Sequence, residues 1–420
     1  ADRADVHLFV GPNGTGKTTA LVALSQIGNH RQAVLASRMT PRSSVECWTD
    51  IGVVCWRPLE PGGVAPGMTD ESWKTGFHVS SLLGMVKKHE RFTEAWAAQM
   101  DGVQTNDPNG APTRRFSFLL CAYSGSRELK NAAISSIREV PVAPRTDLHE
   151  PPDAQAVAQW TANARAEVAF ATAEGDLASA ARADALVVRL EQAVSRVIGR
   201  PFSFVLQRRP INVLARVGED TVPLDLLPDG VKSILSWLGD LLMRLDSTPW
   251  IDDTPVLDRP FVLLLDEIEV HLHPAAQRQV VPMVQVLFPN AQIFLATHSP
   301  FVIASAEDAW VHRFRFEGAH VVVDPPIPSQ LGRSYEAVLH DLMGVPERFA
   351  PAIEDELDAL YAARDRAYAG DSAALDEVRQ LGAALSARSR ELAAIVIPEL
   401  RRLERHLLGL GLEPGLGSGA

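Results

Sequence analysis

The chain has 420 residues, 46% of them apolar, and a formal net charge of −12 from 40 basic and 52 acidic side chains. That length and apolar content bury a large core, and the acidic balance excludes a surface built throughout as a polyanion trap. No run approaches the roughly 20 apolar residues that span a bilayer, and no charged stretch leads into an apolar secretion core. The three cysteines (Cys47, Cys55 and Cys121) show no metal-like pairing, so the expected setting is a reduced cytoplasm with no membrane partner.

The run Val6-His7-Leu8-Phe9-Val10 reads as a buried strand. It passes directly into Gly11-Pro12-Asn13-Gly14-Thr15-Gly16-Lys17-Thr18-Thr19 and then an apolar-periodic segment to Ile27. Strand, glycine loop and helix in that order are the context of a phosphate-binding loop, and the spacing fits GxxxxGK[ST] at every position. Glycines let backbone N–H groups approach phosphate oxygens with no Cβ in the way. The following helix aims its positive end at the same anion. In that arrangement Lys17 reaches the β- and γ-phosphates of ATP and the Thr18 hydroxyl ligates Mg2+. Lysine occurs at 6 positions against 34 for arginine, so Lys17 stands out, although a GC-rich genome accounts equally well for the bias.

From residue 33 to 113 the pattern is irregular, with short β-like runs such as 52–56, and 116–123 is again strand-like. Residues 154–198 are rich in Ala, Arg, Glu and Val and free of Pro, which predicts helix. Residues 202–206 and 211–217 read as a hairpin. Next, Val231, Ile234, Leu235, Leu238, Leu241 and Leu242 recur at helical spacing and predict one apolar face. Two dense apolar runs at 261–265 and 292–296, joined by a helical stretch, predict a parallel sheet covered on both faces. Beyond 335 the chain reads as helix, broken near 344–346 and 370–371, and the Gly-rich tail from 409 to 420 is expected to be disordered.

The run Phe261-Val262-Leu263-Leu264-Leu265 ends in Asp266-Glu267, placing carboxylates at the edge of the sheet where ligands of open α/β sheets collect. Asp266 can hold magnesium through water, and Glu267 can orient the attacking water. His298, in Leu295-Ala296-Thr297-His298-Ser299, stands at a third strand end, where a neutral imidazole can hydrogen-bond a γ-phosphate.

Taken in order, GPNGTGKTT, LLLDEIEVHLHP and ATHSP resemble the ABC-type ATPases of the SMC/RecF-like group. Within it they most resemble the OLD-like (overcoming lysogenization defect; AAA15/AAA_21) ATPases, many of which serve bacterial anti-phage defence. The resemblance covers about half of the chain. It implies an α/β fold: an ABC-ATPase-like head with a mostly parallel central sheet, an antiparallel β-lobe, a helical insertion and a helical C-terminal region. The implied domains are 1–145, the N-terminal part of the head with the β-lobe; 146–200, the helical insertion; 201–335, the C-terminal part of the head; and 336–420, a helical region that is a candidate for partner binding.

The resemblance also implies roles. Asp266 stands as the Walker B acid, Glu267 as the catalytic glutamate, His298 as the switch histidine, and 269–274 as the D-loop segment at a dimer interface. Leu227-Pro228-Asp229-Gly230 stands where this group has its signature motif, whose backbone caps the γ-phosphate held by the opposite subunit. Asp229 and Gly230 would then meet ATP sandwiched in a head-to-tail homodimer or higher homo-oligomer. Pro228 replaces the usual Ser and forfeits a hydroxyl contact, while the helix start remains; an ordinary Pro-Asp-Gly turn is the alternative. Cys121 to Arg127 resembles a Tyr-x-x-x-Arg segment of these ATPases, with Arg127 facing nucleotide or insertion, or serving structure alone. No Q-loop glutamine is placed. No aromatic for adenine stacking precedes Gly11, where related proteins usually carry another strand.

Lys17 and Asp266 lie 249 positions apart, more than a transporter-type head uses and fewer than a long SMC coiled coil, whose heptads are missing. Glu354, Asp355 and Glu356 do not make the acidic cluster of a Toprim nuclease. The expectation is a regulatory, Mg-dependent ATPase of a bacterial anti-phage defence complex, similar to Septu- and retron-associated ATPases. It would control a separate effector subunit, such as an HNH or Toprim-type nuclease, with nucleic acid as trigger or substrate. The alternative is a RecF/SMC-like DNA repair or DNA-end-binding ATPase using Arg208, Arg209, Arg401 and Arg402 on the phosphate backbone. A third reading is a scaffold that binds ATP to assemble and barely turns it over.

Overall fold

A computed structural model describes residues 4–28, 102–106, 112–126, 134–139, 152–329 and 334–409, together with strands at 45–49, 52–57 and 78–79 and residues 142, 148 and 332. Arg127 and residues 410–420 lie outside the described residues, as does most of 33–113. The chain forms two compact units, Ala1–Val338 and Leu339–Ala420.

The strands in chain order are β1 (Asp5–Val10), β2 (Val45–Thr49), β3 (Gly52–Arg57), β4 (His78–Val79), β5 (Val103–Asn106), β6 (Pro112–Arg115), β7 (Leu119–Tyr123), β8 (Phe202–Arg208), β9 (Ile211–Val217), β10 (Asp220–Pro223), β11 (Phe261–Asp266), β12 (Gln292–Thr297), β13 (Ala309–Glu317), β14 (His320–Val323) and β15 (Ile327–Pro328). The helices of the first unit are α1 (Lys17–Gly28), α2 (Ala154–Glu174), α3 (Leu177–Ala183), α4 (Ala185–Ile198), α5 (Asp229–Ile234), α6 (Asp240–Ser247), α7 (Pro274–Leu287), α8 (Pro300–Ser305) and α9 (Tyr335–Val338).

The central sheet runs β14-β13-β1-β12-β11-β7, with β15 on β13. Strands β13, β1, β12, β11 and β7 are mutually parallel, and β14 and β15 add antiparallel edges to β13. Unbroken apolar strands need cover on both faces. On one face α1 contributes Leu21 and Val22 to a core with Phe9, Leu120, Leu264 and Phe314. Further antiparallel sheets, β10-β9-β8, β2-β3-β4 and β5-β6, extend the unit, so the expected hairpin at 202–217 gains a third strand.

Two expectations change in detail. Residues 154–198 form three helices: Gly175 takes a left-handed φ of 78° and Asp176 then caps α3 by accepting from the Ser179 N–H, and Asp184 separates α3 from α4. Such a left-handed glycine ends a helix at no Cβ cost. From Ser233 to Met243 the helical run after Pro228 is also buried on all sides: Ser233, Ser236, Trp237, Gly239, Asp240 and Met243 are as enclosed as its six predicted apolar residues. A π-helical stretch, Leu235–Gly239, lies between α5 and α6. A Cβ on Gly239 would stand 2.8 Å from Val157 Cγ1, so glycine lets α2 pack directly on this backbone. Asp240 is tolerated at 0% exposure because Tyr123 Oη donates to it at 2.9 Å and Arg244 pairs with it at 2.6 Å. A buried charge needs such partners.

The second unit holds α10 (Pro351–Tyr368), α11 (Ser372–Arg388) and α12 (Arg390–Gly409). Leu357, Leu360, Val378, Leu385, Val396 and Leu403 form its core. Asp371 caps α11 by accepting from the Ala373 N–H at 2.9 Å, which is the break expected near 370–371.

Candidate functional site

Strand register assembles the site. Val10 pairs with Thr297, and Ala296 pairs with both Phe9 and Asp266, while Leu265 pairs with Tyr123. The C-terminal ends of β1, β12, β11 and β7 therefore share one sheet edge, the ligand edge of a parallel α/β sheet. Consecutive along that edge are the loop from Gly11, His298, Asp266 with Glu267, and Ser124-Gly125.

The loop has the backbone its glycines permit. Gly11, Gly14 and Gly16 have φ values of 152°, 80° and 83°. A Cβ on Gly11 would meet the Phe314 carbonyl oxygen at 2.1 Å, whereas one on Gly16 would meet nothing within 4 Å. Gly11 is thus required by close packing against β13 and Gly16 by conformation. Pro12, Asn13 and Gly14 are exposed, Thr15 and Lys17 are buried, and Thr18 and Thr19 are partly covered at the start of α1. Thr15 Oγ1 donates to the Pro12 carbonyl at 2.8 Å, closing the turn.

Lys17 is 5% exposed, and its Nζ donates to the Gly11 and Pro12 carbonyls at 2.8 and 2.9 Å. Burial lowers its pKa, and the carboxylates of Asp266, Glu269 and Glu267 push it back up. The ammonium therefore sits in a desolvated loop, in the field of three acids. A polyphosphate would offer it the anionic partners that burial leaves wanting.

Asp266 is buried at the end of β11. Glu267 turns the chain with a positive φ of 48°, its N–H donating to the Ala296 carbonyl at 2.9 Å and its side chain exposed. Gly125 explains how that side chain fits, since a Cβ there would stand 2.6 Å from Glu267 Oε2. His298 has its pKa lowered, first by burial and then by Lys17, while Glu269, Glu267 and Asp266 oppose the shift. The net direction favours the neutral imidazole.

Glu269, the first residue of the 269–274 segment expected as a D-loop, also belongs to this site. Its Oε2 accepts from Thr297 Oγ1 at 2.8 Å and its Oε1 accepts from the His298 N–H at 2.5 Å. Ser299 caps α8 and donates from Oγ to Gln277 Oε1 at 2.6 Å; Gln277 in turn donates to the Leu272 carbonyl at 2.8 Å. Residues 269–274 are therefore tied twice to the β12 end that carries His298. Only the repeated acid in Asp266-Glu267-Ile268-Glu269 hinted at this in sequence.

Asp229 and Gly230 belong to a different neighbourhood. Pro228 precedes α5, and exposed Asp229 pairs with Lys232 at 2.8 Å. A Cβ on Gly230 would stand 2.7 Å from the His271 carbonyl oxygen, so the start of α5 packs on the 269–274 segment. Arg208 and Arg209 are exposed at the turn between β8 and β9. In the second unit Arg401 is exposed, and Arg402 pairs with Glu399 at 2.5 Å. Among the described residues, no helix is long and apolar enough to cross a membrane.

Comparison with known proteins adds likenesses over part of the chain. Residues 130–304 match the family described as "AAA domain, putative AbiEii toxin, Type IV TA system". The chain is 28% identical over 185 residues to a "Retron Ec83 probable ATPase" of Escherichia coli, covering 43% of this chain and 32% of that protein. It is 27% identical over 145 residues to a "Septu protein PtuA" of Bacillus thuringiensis, covering 33% of this chain and 37% of that one. These matches thus span about a third of each relative's length. A solved SMC head bound to the C-terminal winged-helix domain of ScpA aligns over 78% of this chain and 91% of its own, with a TM-score of 0.40 and 13% identity. Residues 130–304 are thus similar to an AAA domain of this family, and the chain as a whole is similar over part of its length to probable ATPases.

Proposed function

We propose that this chain binds Mg·ATP on residues 11–19 and hydrolyses it, serving as the regulatory ATPase of an anti-phage defence complex. The observation that carries the reading is Lys17, buried in the glycine loop among Asp266, Glu267 and Glu269 with His298 alongside. On nucleotide binding Lys17 exchanges two loop carbonyls for β- and γ-phosphate oxygens. Thr18 and Asp266 are oxygen donors suited to magnesium, which would neutralise phosphate charge when bound. Glu267 orients water toward the γ-phosphorus, the bond to the β,γ-bridging oxygen breaks, and ADP and phosphate leave with the water's proton passing to phosphate or solvent. Neutral His298 donates to the γ-phosphate and reports its loss through Glu269 to residues 269–274.

The setting rests on similarity to retron and Septu proteins. The packing of α5 on residues 269–274 supports a face on which Asp229 and Gly230 cap the nucleotide of a second copy, in a head-to-tail dimer. The effector, a separate nuclease-like subunit, would dock on the helical region after residue 336.

The test is Glu267→Gln. It should abolish phosphate release and accumulate an ATP-dependent dimer on size-exclusion chromatography. Absence of phosphate release by the wild-type protein would overturn the enzymatic reading. An identical oligomer with and without nucleotide would overturn ATP-driven dimerisation alone, and co-purification from the native operon tests the effector.

A further inference from the structure

Phe316 is a large apolar side chain that the hydrolytic chemistry leaves unused, and it is 51% exposed. It shares a face of β13 with Phe314, two residues earlier. Phe314 is buried against Phe9 in the core beneath α1, and side chains two apart along a strand stand on the same side of the sheet. Phe316 therefore emerges on the face that carries the phosphate loop, one repeat beyond the end of the core. Its Cζ lies 3.8 Å from the position a Cβ on Gly14 would occupy, within contact of the loop. Across the hairpin, Val321 pairs with Phe316 and Val323 with Phe314, and both valines are more than 40% exposed. Cross-strand partners point the same way. Beside an anion-binding loop there is thus a small open apolar floor with one aromatic ring.

A nucleoside triphosphate has this pairing of properties, a polyanion joined to a flat apolar base, and aromatic rings stack on such bases. We propose that Phe316, floored by Val321 and Val323, is the platform for the purine base of the nucleotide. The inference rests on the nucleotide reading above and names which part of the ligand this surface takes.

Calorimetry in magnesium buffer with two probes, ATP and inorganic tripolyphosphate, tests it. Phe316→Ala should weaken ATP binding about tenfold, the order of one base–aromatic stack, and leave tripolyphosphate binding unchanged. Phe316→Trp should retain ATP affinity and show fluorescence quenched by ATP and not by tripolyphosphate. Equal ATP affinity in wild type and Phe316→Ala overturns the platform, and so does equal weakening for both probes, which would make Phe316 a prop for the loop. Wild-type protein that binds neither probe would instead overturn the nucleotide reading itself.

Discussion

Gly125→Ala is the substitution that separates the proposed water-orienting role of Glu267 from nucleotide binding. The new Cβ would stand 2.6 Å from Glu267 Oε2 and 3.0 Å from Glu267 Cβ. Ordinary carbon contacts are about 3.5 Å, so the carboxylate must retreat by roughly 0.9 Å. The backbone of Glu267 cannot make that move easily. Its φ of 48° is a restricted conformation, and its N–H is anchored to the Ala296 carbonyl at 2.9 Å. The side chain must swing instead. Displacement of about 1 Å at a reacting group can cost on the order of 100-fold in rate, so kcat should fall about 10- to 100-fold, or about 1.4–2.7 kcal/mol in the barrier. The loop from Gly11 to Thr19, proposed to hold the phosphates, lies across the sheet edge between β1 and α1, so KM for ATP should stay within about twofold. Steady-state phosphate release against ATP concentration reads both constants. Unchanged kcat in Gly125→Ala beside an inactive Glu267→Gln would refute the positional argument, and a raised KM at constant kcat would place Gly125 in binding.

Glu269→Gln removes a charge and faces an amide N–H2 toward one of two donors, the Thr297 hydroxyl and the His298 N–H. A loss of about 1–3 kcal/mol in stability should follow in denaturant unfolding. Because Glu269 raises the His298 pKa against burial, the variant should titrate lower still and carry the acid limb of kcat to lower pH; NMR of the imidazole checks the direction. His298 binds its proton less tightly folded than unfolded, so its contribution to stability is full above the ordinary value of 6.5 and declines as pH falls. A low-pH loss of stability that His298→Gln does not reduce would contradict this. Gly239→Ala should cost about 1–3 kcal/mol by overpacking against Val157 Cγ1. Adding Val157→Ala should return part of that loss, and strict additivity of the two changes would refute the contact.

Local patterns carried much of the fold. The apolar runs at 261–265 and 292–296 are neighbouring parallel strands, because a strand buried on both faces leaves an unbroken apolar signature. The phosphate loop is legible because glycine at Gly11, Gly14 and Gly16 answers to backbone geometry, which is written residue by residue. The break at 175–176 was harder to see in a segment free of proline, since one Gly-Asp pair within a polar run is a weak signal until the left-handed turn is seen.

By itself the sequence determined the glycine loop between β1 and α1, the acids that end β11 and the parallel character of the sheet, all properties of contiguous residues. Only the tertiary structure decided that Gly125 makes room for Glu267, that Glu269 grips the backbone of His298, and that Phe316 comes to rest beside Gly14. Those relations join residues 29 to 302 positions apart, and they depend on strand order and register. A one-residue slip in β13 would turn Phe316 to the opposite face, and nothing in its immediate neighbours specifies that register.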